Sequence, residues 1–213
     1  MFFLTGALYW GQIRLFRLKE DSLLWIAMAL MASLLDRYGG FDEERDLKSR
    51  IARALVHFKL SKSDGVPQQL PEPASRIFVG SAGAAYHLEN LRDAGITHIA
   101  SLCSSVKHAF PEEFIYMPRV ELNDDSSEES LVQFTTVHQT SVSFILDALE
   151  SDPGHRVLVH CMQGKSRSVS ICVAFLRYQL GMSYDDALSA VRVARPEASP
   201  NSVFEKFLQR CVT

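Results

Sequence analysis

The 213-residue chain has no apolar run long enough to cross a bilayer. Its most continuous one, Leu23–Leu35, is a thirteen-residue stretch broken by Ser33, against the roughly 20 residues a spanning helix needs. Positive charge is not in excess either: 22 Lys and Arg face 25 Asp and Glu, a formal net of −3. Composition therefore gives no argument for nucleic acid, which calls for a basic excess or stripe. Cysteine is scarce, with four residues at 103, 161, 172 and 211 and no Cys-x-x-Cys pair. That argues against a disulfide framework or a zinc site, and suits reduced thiols in the cytoplasm or nucleus. Internal repeats and low-complexity tracts are absent. What remains is an ordinary globular composition, 47% hydrophobic and 22% charged, enough for one domain of about 150 residues and an extension.

Charge and punctuation divide the chain. Residues 1–65 carry ten Lys and Arg against eight Asp and Glu, whereas residues 66–213 carry twelve against seventeen. The stretch Ser61–Pro73 holds Gly65 and three prolines, which sets a boundary near residue 70. The expected division is a helical extension over 1–70 and a folded domain over 71–213. Within the extension, Leu23–Leu35 reads as a helix capped by Asp21 or Ser22 and buried against the rest of the protein or a partner. Arg14, Arg17 and Lys19 precede it, so a targeting or membrane-associating role is the alternative. Residues 45–62 place Ile51, Ala54, Leu55 and Phe58 on one helical face. Arg45, Lys48, Arg50, Arg53, Lys59 and Lys62 are opposed only by Asp46. Such a helix either packs on the domain surface or contacts a calmodulin-like groove or an anionic membrane.

From residue 74 strand-like and helix-like segments alternate. Strands are expected at Arg76–Gly80, Ile96–Leu102, Phe114–Val120 and Arg156–His160. Helices are expected at Ala82–Ala94, Leu131–Leu149, Ser166–Leu180, Tyr184–Ala194 and Asn201–Cys211. The alternation predicts an α/β fold: a central, mostly parallel sheet of four to five strands flanked by helices.

The chemistry concentrates where the almost wholly apolar strand ending at His160 meets a helix. The joining loop is Cys161-Met162-Gln163-Gly164-Lys165-Ser166-Arg167-Ser168. Ligands in open α/β sheets bind beyond the carboxyl ends of strands, and the next helix turns its amides and positive dipole end toward them. A loop wrapped as a nest can aim the amides from Met162 to Arg167 at three phosphate oxygens. Gly164 can supply an unusual backbone angle, Arg167 a bidentate clamp and Lys165 a further charge. The same field favours the thiolate of Cys161, the nucleophilic form of the residue. The Ser168 hydroxyl can support that sulfur as a leaving group, while His160, at the strand end, braces the loop. Cys103, Cys172 and Cys211 sit in apolar segments and read as structural.

These residues resemble a known signature. Leu158-Val159-His160-Cys161 through Arg167-Ser168 is similar to that of the dual-specificity protein tyrosine phosphatases, and the likeness runs from about residue 74 to 212. Ile77–Ser81 resembles the family's first strand and turn, and Gly95–Ile99 its second strand. Arg195-Pro196 and Pro200–Phe204 resemble the lead into its last helix. Nothing in the extension matches a kinase-docking domain, so the resemblance is to an atypical, small member. It implies hydrolysis of phosphotyrosine and phosphoserine or phosphothreonine through a phosphocysteine, with no metal and no cofactor. A phosphorylated protein is the implied substrate. The loop departs from the glucan phosphatase pattern and lacks the flanking lysines of phosphoinositide phosphatases. A phosphoinositide phosphatase, or a silent domain that captures phosphoproteins, are the alternatives.

The leaving oxygen needs a proton donor. The resemblance places it on the loop after the third strand, where Val120-Glu121-Leu122-Asn123-Asp124 matches, making Asp124 the expected acid and Asp125 its rival. Glu121, Glu128 and Glu129 crowd the same loop, and repulsion among them is expected to raise the proton affinity of one.

Overall fold

A computed structural model describes residues 64–104 and 106–210. Leu23–Leu35, the basic segment 45–62 and Cys211 lie outside the described residues. Among the described residues five strands form one sheet: β1 (Gln68–Gln69), β2 (Ile77–Gly80), β3 (His98–Ser101), β4 (Ile115–Tyr116) and β5 (Val157–His160). They lie in the order β1-β2-β5-β3-β4, parallel except for β1, which runs antiparallel to β2. The helices among the described residues are α1 (Ala82–Ala85), α2 (Leu88–Asp93), α3 (Glu128–Ser151), α4 (Arg167–Leu180), α5 (Tyr184–Ala194) and α6 (Ser202–Arg210).

The strand sequences dictate the layering. Successive residues of a strand face opposite sides, and β2, β3 and β5 are buried at every position, as strands covered on both faces should be. Ile77, Val79, Ala100, Val157 and Val159 meet Phe134, Ile145, Leu176, Val191 and Phe204 of the four long helices. Phe78, Ile99 and Leu158 pack on the other side with Ala85, Leu91 and Phe114. β5 is central: Gly80 pairs with His160 on one side and Ser101 with His160 on the other. Cys161 therefore leaves the sheet at the carboxyl edge of its middle strand.

Several expected elements differ in extent. Ala82–Ala94 is two helices, because Tyr86 and His87 leave helical geometry. The third strand shrinks from Phe114–Val120 to Ile115–Tyr116, an edge strand with only β3 beside it. The helix expected from Leu131 starts at Glu128, since the Ser127 hydroxyl accepts from the Ser130 amide. This takes Glu128 and Glu129 out of the acidic loop and into a first helical turn, where the dipole favours them. The sheet also begins before residue 71, with β1 paired to β2 and Leu70 only 2% exposed. Among the described residues no helix is long and apolar enough to cross a membrane.

Candidate active site

Four consecutive carbonyls of the loop after β5 are bonded outward. Met162 O accepts from the Ala82 amide at 3.2 Å and Lys165 O from the Ser199 amide at 2.8 Å. Between them, Gln163 O and Gly164 O accept from Arg195 Nη2 at 2.7 Å and Nε at 3.0 Å. In a trans peptide the N–H points opposite to the C=O. Anchoring those oxygens outside therefore turns the amides of Gln163, Gly164, Lys165 and Ser166 toward the loop's interior. The Gly164 amide does point there, donating to Cys161 Sγ at 3.2 Å. Gly164 has φ +69°, and Ser166 and Arg167 lead directly into α4. The result is a concave set of donors at a helix N-terminus, the arrangement that holds an oxyanion.

Cys161 sits at its floor, 1% exposed. The Ser168 hydroxyl, in the first turn of α4, lies 3.4 Å from both Cys161 Sγ and Gly80 O. Its single proton serves one acceptor at a time. His160 is buried at the end of β5, and its imidazole is held neutral: burial pushes it down to about 4, against a backbone hydrogen bond at Cys161. Burial likewise pushes the Cys103 thiol up to about 12 and that of Cys172 higher still. Neither thiol ionises near neutral pH. Gln163 and Lys165 are exposed at the rim, and Met162 packs partly against the core.

The two candidate acids separate. Asp124 Oδ1 accepts from Ser166 Oγ at 2.6 Å and from Asn201 Nδ2 at 3.1 Å. Arg167 Nε lies 3.3 Å from Asp124 Oδ2, and Arg167 Nη1 donates to Leu122 O at 3.2 Å. Asp124 is thus tied to the loop and the arginine that follow Cys161. Asp125 faces the start of α3, accepting from the Ser127 amide at 2.9 Å and Ser130 Oγ at 2.6 Å. Those bonds hold its carboxyl below the ordinary carboxylate value, the opposite of the rise that crowding would give it.

The sequence does not single out three contributors to this site. Arg195 falls in the segment that resembles the lead into the last helix, and Asn201 at that helix's expected start. Gly80 is marked by the sequence as the end of a strand and the start of a turn, yet its carbonyl accepts the Cys161 amide at 3.4 Å. Asn201 has three jobs. Its amide donates to Ser166 Oγ at 3.0 Å, its Oδ1 accepts from Val203 and Phe204 amides, and its Nδ2 holds both acidic residues.

Comparison with known proteins identifies the family of this domain. Residues 77–211 match the family model for the dual specificity phosphatase catalytic domain. Dual specificity protein phosphatase 1 of Arabidopsis thaliana is 35% identical over 160 residues, 75% of each chain. The crystal structure of a mouse dual specificity phosphatase complexed with zinc tungstate is 31% identical. It covers 70% of this chain and 89% of its own, with a TM-score of 0.58. Human DUSP28 is 30% identical, covers 67% of this chain and 95% of its own, and superposes with a TM-score of 0.56.

Proposed function

The chain belongs to the dual specificity phosphatase family, a protein phosphatase and phosphoric monoester hydrolase, and from that premise we propose which of its residues carry the reaction. The Cys161 thiolate attacks phosphorus in line, forming an S–P bond as the P–O bond to the substrate breaks. The amides of residues 162–167 and the Arg167 guanidinium hold the three non-bridging oxygens. Asp124 gives its proton to the departing oxygen. Water then attacks the phosphocysteine, its proton passing to Asp124, while the S–P bond breaks and Ser168 supports the returning thiolate. Inorganic phosphate leaves, and Cys161 and Asp124 regain their starting forms.

The observation that carries this reading is the row of outward-bonded carbonyls from Met162 to Lys165 around Cys161 Sγ. Asp124 hydrogen-bonded to Ser166 supports the acid. Hydrolysis of p-nitrophenyl phosphate is the direct test. Cys161→Ser is expected to abolish turnover while keeping oxyanion affinity, and activity surviving in that variant would remove Cys161 as nucleophile. A doubly phosphorylated peptide is expected to release phosphate faster than phosphoinositide vesicles, with the reverse order pointing to a lipid substrate. For the basic segment 45–62, six cations against one acid support either packing on the domain surface or a contact with a calmodulin-like groove or an anionic membrane. Absence of calcium-dependent calmodulin binding by a peptide of residues 44–63, together with indifference to anionic vesicles, would dispose of the contact.

A further inference from the structure

Arg195 is 3% exposed, and all five of its N–H donors are used. Nε and one hydrogen of Nη2 go to the loop, to Gly164 O and Gln163 O. The other Nη2 hydrogen goes to Asp64 Oδ2 at 2.6 Å. The two on Nη1 go to Asp64 Oδ1 at 2.7 Å and Gln68 Oε1 at 2.6 Å. A guanidinium offers five donors in a rigid planar fork, so fixing the fork at one edge fixes where the opposite edge points. Glu197 adds a second carboxylate at 3.3 Å.

Asp64 is itself held in place. Its carbonyl accepts from Ser81 Oγ at 3.2 Å, and the next carbonyl, Gly65 O, accepts from Asn90 Nδ2 at 2.8 Å. Segment 64–69 is therefore pinned to the cap of α1 and to α2, and ends in β1, with its one carboxylate aimed at the back of the loop. Burial works against the charge on Asp64, but hydrogen bonds from Arg195, Ser81 and Gln68 and the guanidinium charge outweigh it and keep the carboxyl ionised.

We infer that Asp64 is a positioning residue of the phosphate site, setting the peptide planes of Gln163 and Gly164 through Arg195. Two of the four outward-bonded carbonyls depend on this one guanidinium, and the guanidinium depends on Asp64 for two of its five bonds and its main buried counter-charge. The segment ahead of the sheet is thus part of the oxyanion site although it touches no substrate. The inference rests on the loop being the phosphate site, as proposed above.

The test reads anion affinity apart from turnover. Tungstate and inorganic phosphate binding are measured by calorimetry on the full chain, alongside kcat/KM for p-nitrophenyl phosphate. Asp64→Asn keeps the shape and removes the charge. It is expected to weaken both anions roughly ten-fold, the size of one lost charge-assisted bond, and to lower kcat/KM by a similar factor. The ratio of rates on good and poor leaving groups, which reports the acid, should not move. Asp64→Glu, which restores a carboxylate, should recover most of the affinity. Asp64→Asn added to Arg195→Lys should cost less than two-fold more, because the effect runs through Arg195. If Asp64→Asn lowers only the thermal midpoint and leaves anion affinity within two-fold of wild type, Asp64 is a structural pin and the inference fails. If instead the wild type binds neither anion, it is the phosphate-site reading that fails.

Discussion

At position 164 a side chain has nowhere to go. The backbone has φ +69°, and a Cβ would fall 2.7 Å from both the carbonyl carbon and the oxygen of Gly80 and 2.9 Å from Arg195 Nη2. Two of these three atoms are backbone, so no rotamer change relieves the contact. Gly164→Ala is expected to cost roughly 1–3 kcal/mol in urea denaturation and to cut kcat/KM on aryl phosphates at least ~10-fold. Unchanged kinetics would mean that the loop has a second path. The adjacent aspartates should part company in the same way. Asp124→Asn is expected to lower turnover of phosphoserine peptides by about 10² to 10⁴ and to spare aryl phosphates with good leaving groups. Asp125→Asn removes the acceptor for Ser127 and Ser130 and should show as a lower thermal midpoint with turnover nearly intact. The opposite pattern would exchange their roles. The family resemblance favours Asp124 by position but leaves its neighbour a rival. What separates them is the direction of each side chain, fixed by Ser166 and Asn201 for one and by the first turn of α3 for the other.

Among the elements, those with strong local signals were legible and those shaped by distant partners were not. The run Val157–His160 and helices α4 and α5 fall within a residue of expectation, because apolar continuity, Gly181 at φ +66° and the Ser183 cap are local. The break between α1 and α2, and the shrinking of β4 to an edge pair, are tertiary outcomes that propensity does not encode. The start of α6 joins both kinds of information. Asn201 caps it through Val203 and Phe204, a readable local role, and also holds Asp124 and Asp125, which only the fold reveals. Asn201→Ala should therefore have two effects. Loss of the cap costs roughly 1 kcal/mol, and loss of the Asp124 contact should slow poor leaving groups more than good ones. A stability loss with an unchanged leaving-group dependence would reduce Asn201 to a cap. Phe204 stacks on Phe134 with ring centroids 4.4 Å apart, both fully buried. A displaced helix start would therefore also disturb the seam where α6 meets α3.

For the molecule as a whole, the sequence made the sheet, its flanking helices and Cys161 at the central strand's end legible, since pattern and chain order carry them. Asp64 and Arg195, separated by 131 positions, meet only once the chain has folded, and so do the protonation states that decide acid stability. Burial lowers His98, His138 and His160 from the ordinary 6.5, His160 to about 4. Below pH 6.5 the unfolded chain takes up protons at these sites and the native chain does not, so stability falls as pH drops and stops falling once the native histidines protonate. For His160 alone the interval from 6.5 to about 4 corresponds to about 3 kcal/mol, a large share of the roughly 5–15 kcal/mol that holds a domain together. Asp64 and Asp125 are lowered from 3.8. Their contribution is complete above 3.8 and is lost only as pH falls further, through their native values. Acid unfolding should therefore begin with the histidines, well above the carboxylate range. Urea midpoints at pH 7.5, 6 and 5 should decrease in that order, and His160→Asn, which has no proton to gain, should flatten the series. A wild-type midpoint constant from pH 7.5 to 5 would mean that these imidazoles are protonated in the native state at little cost.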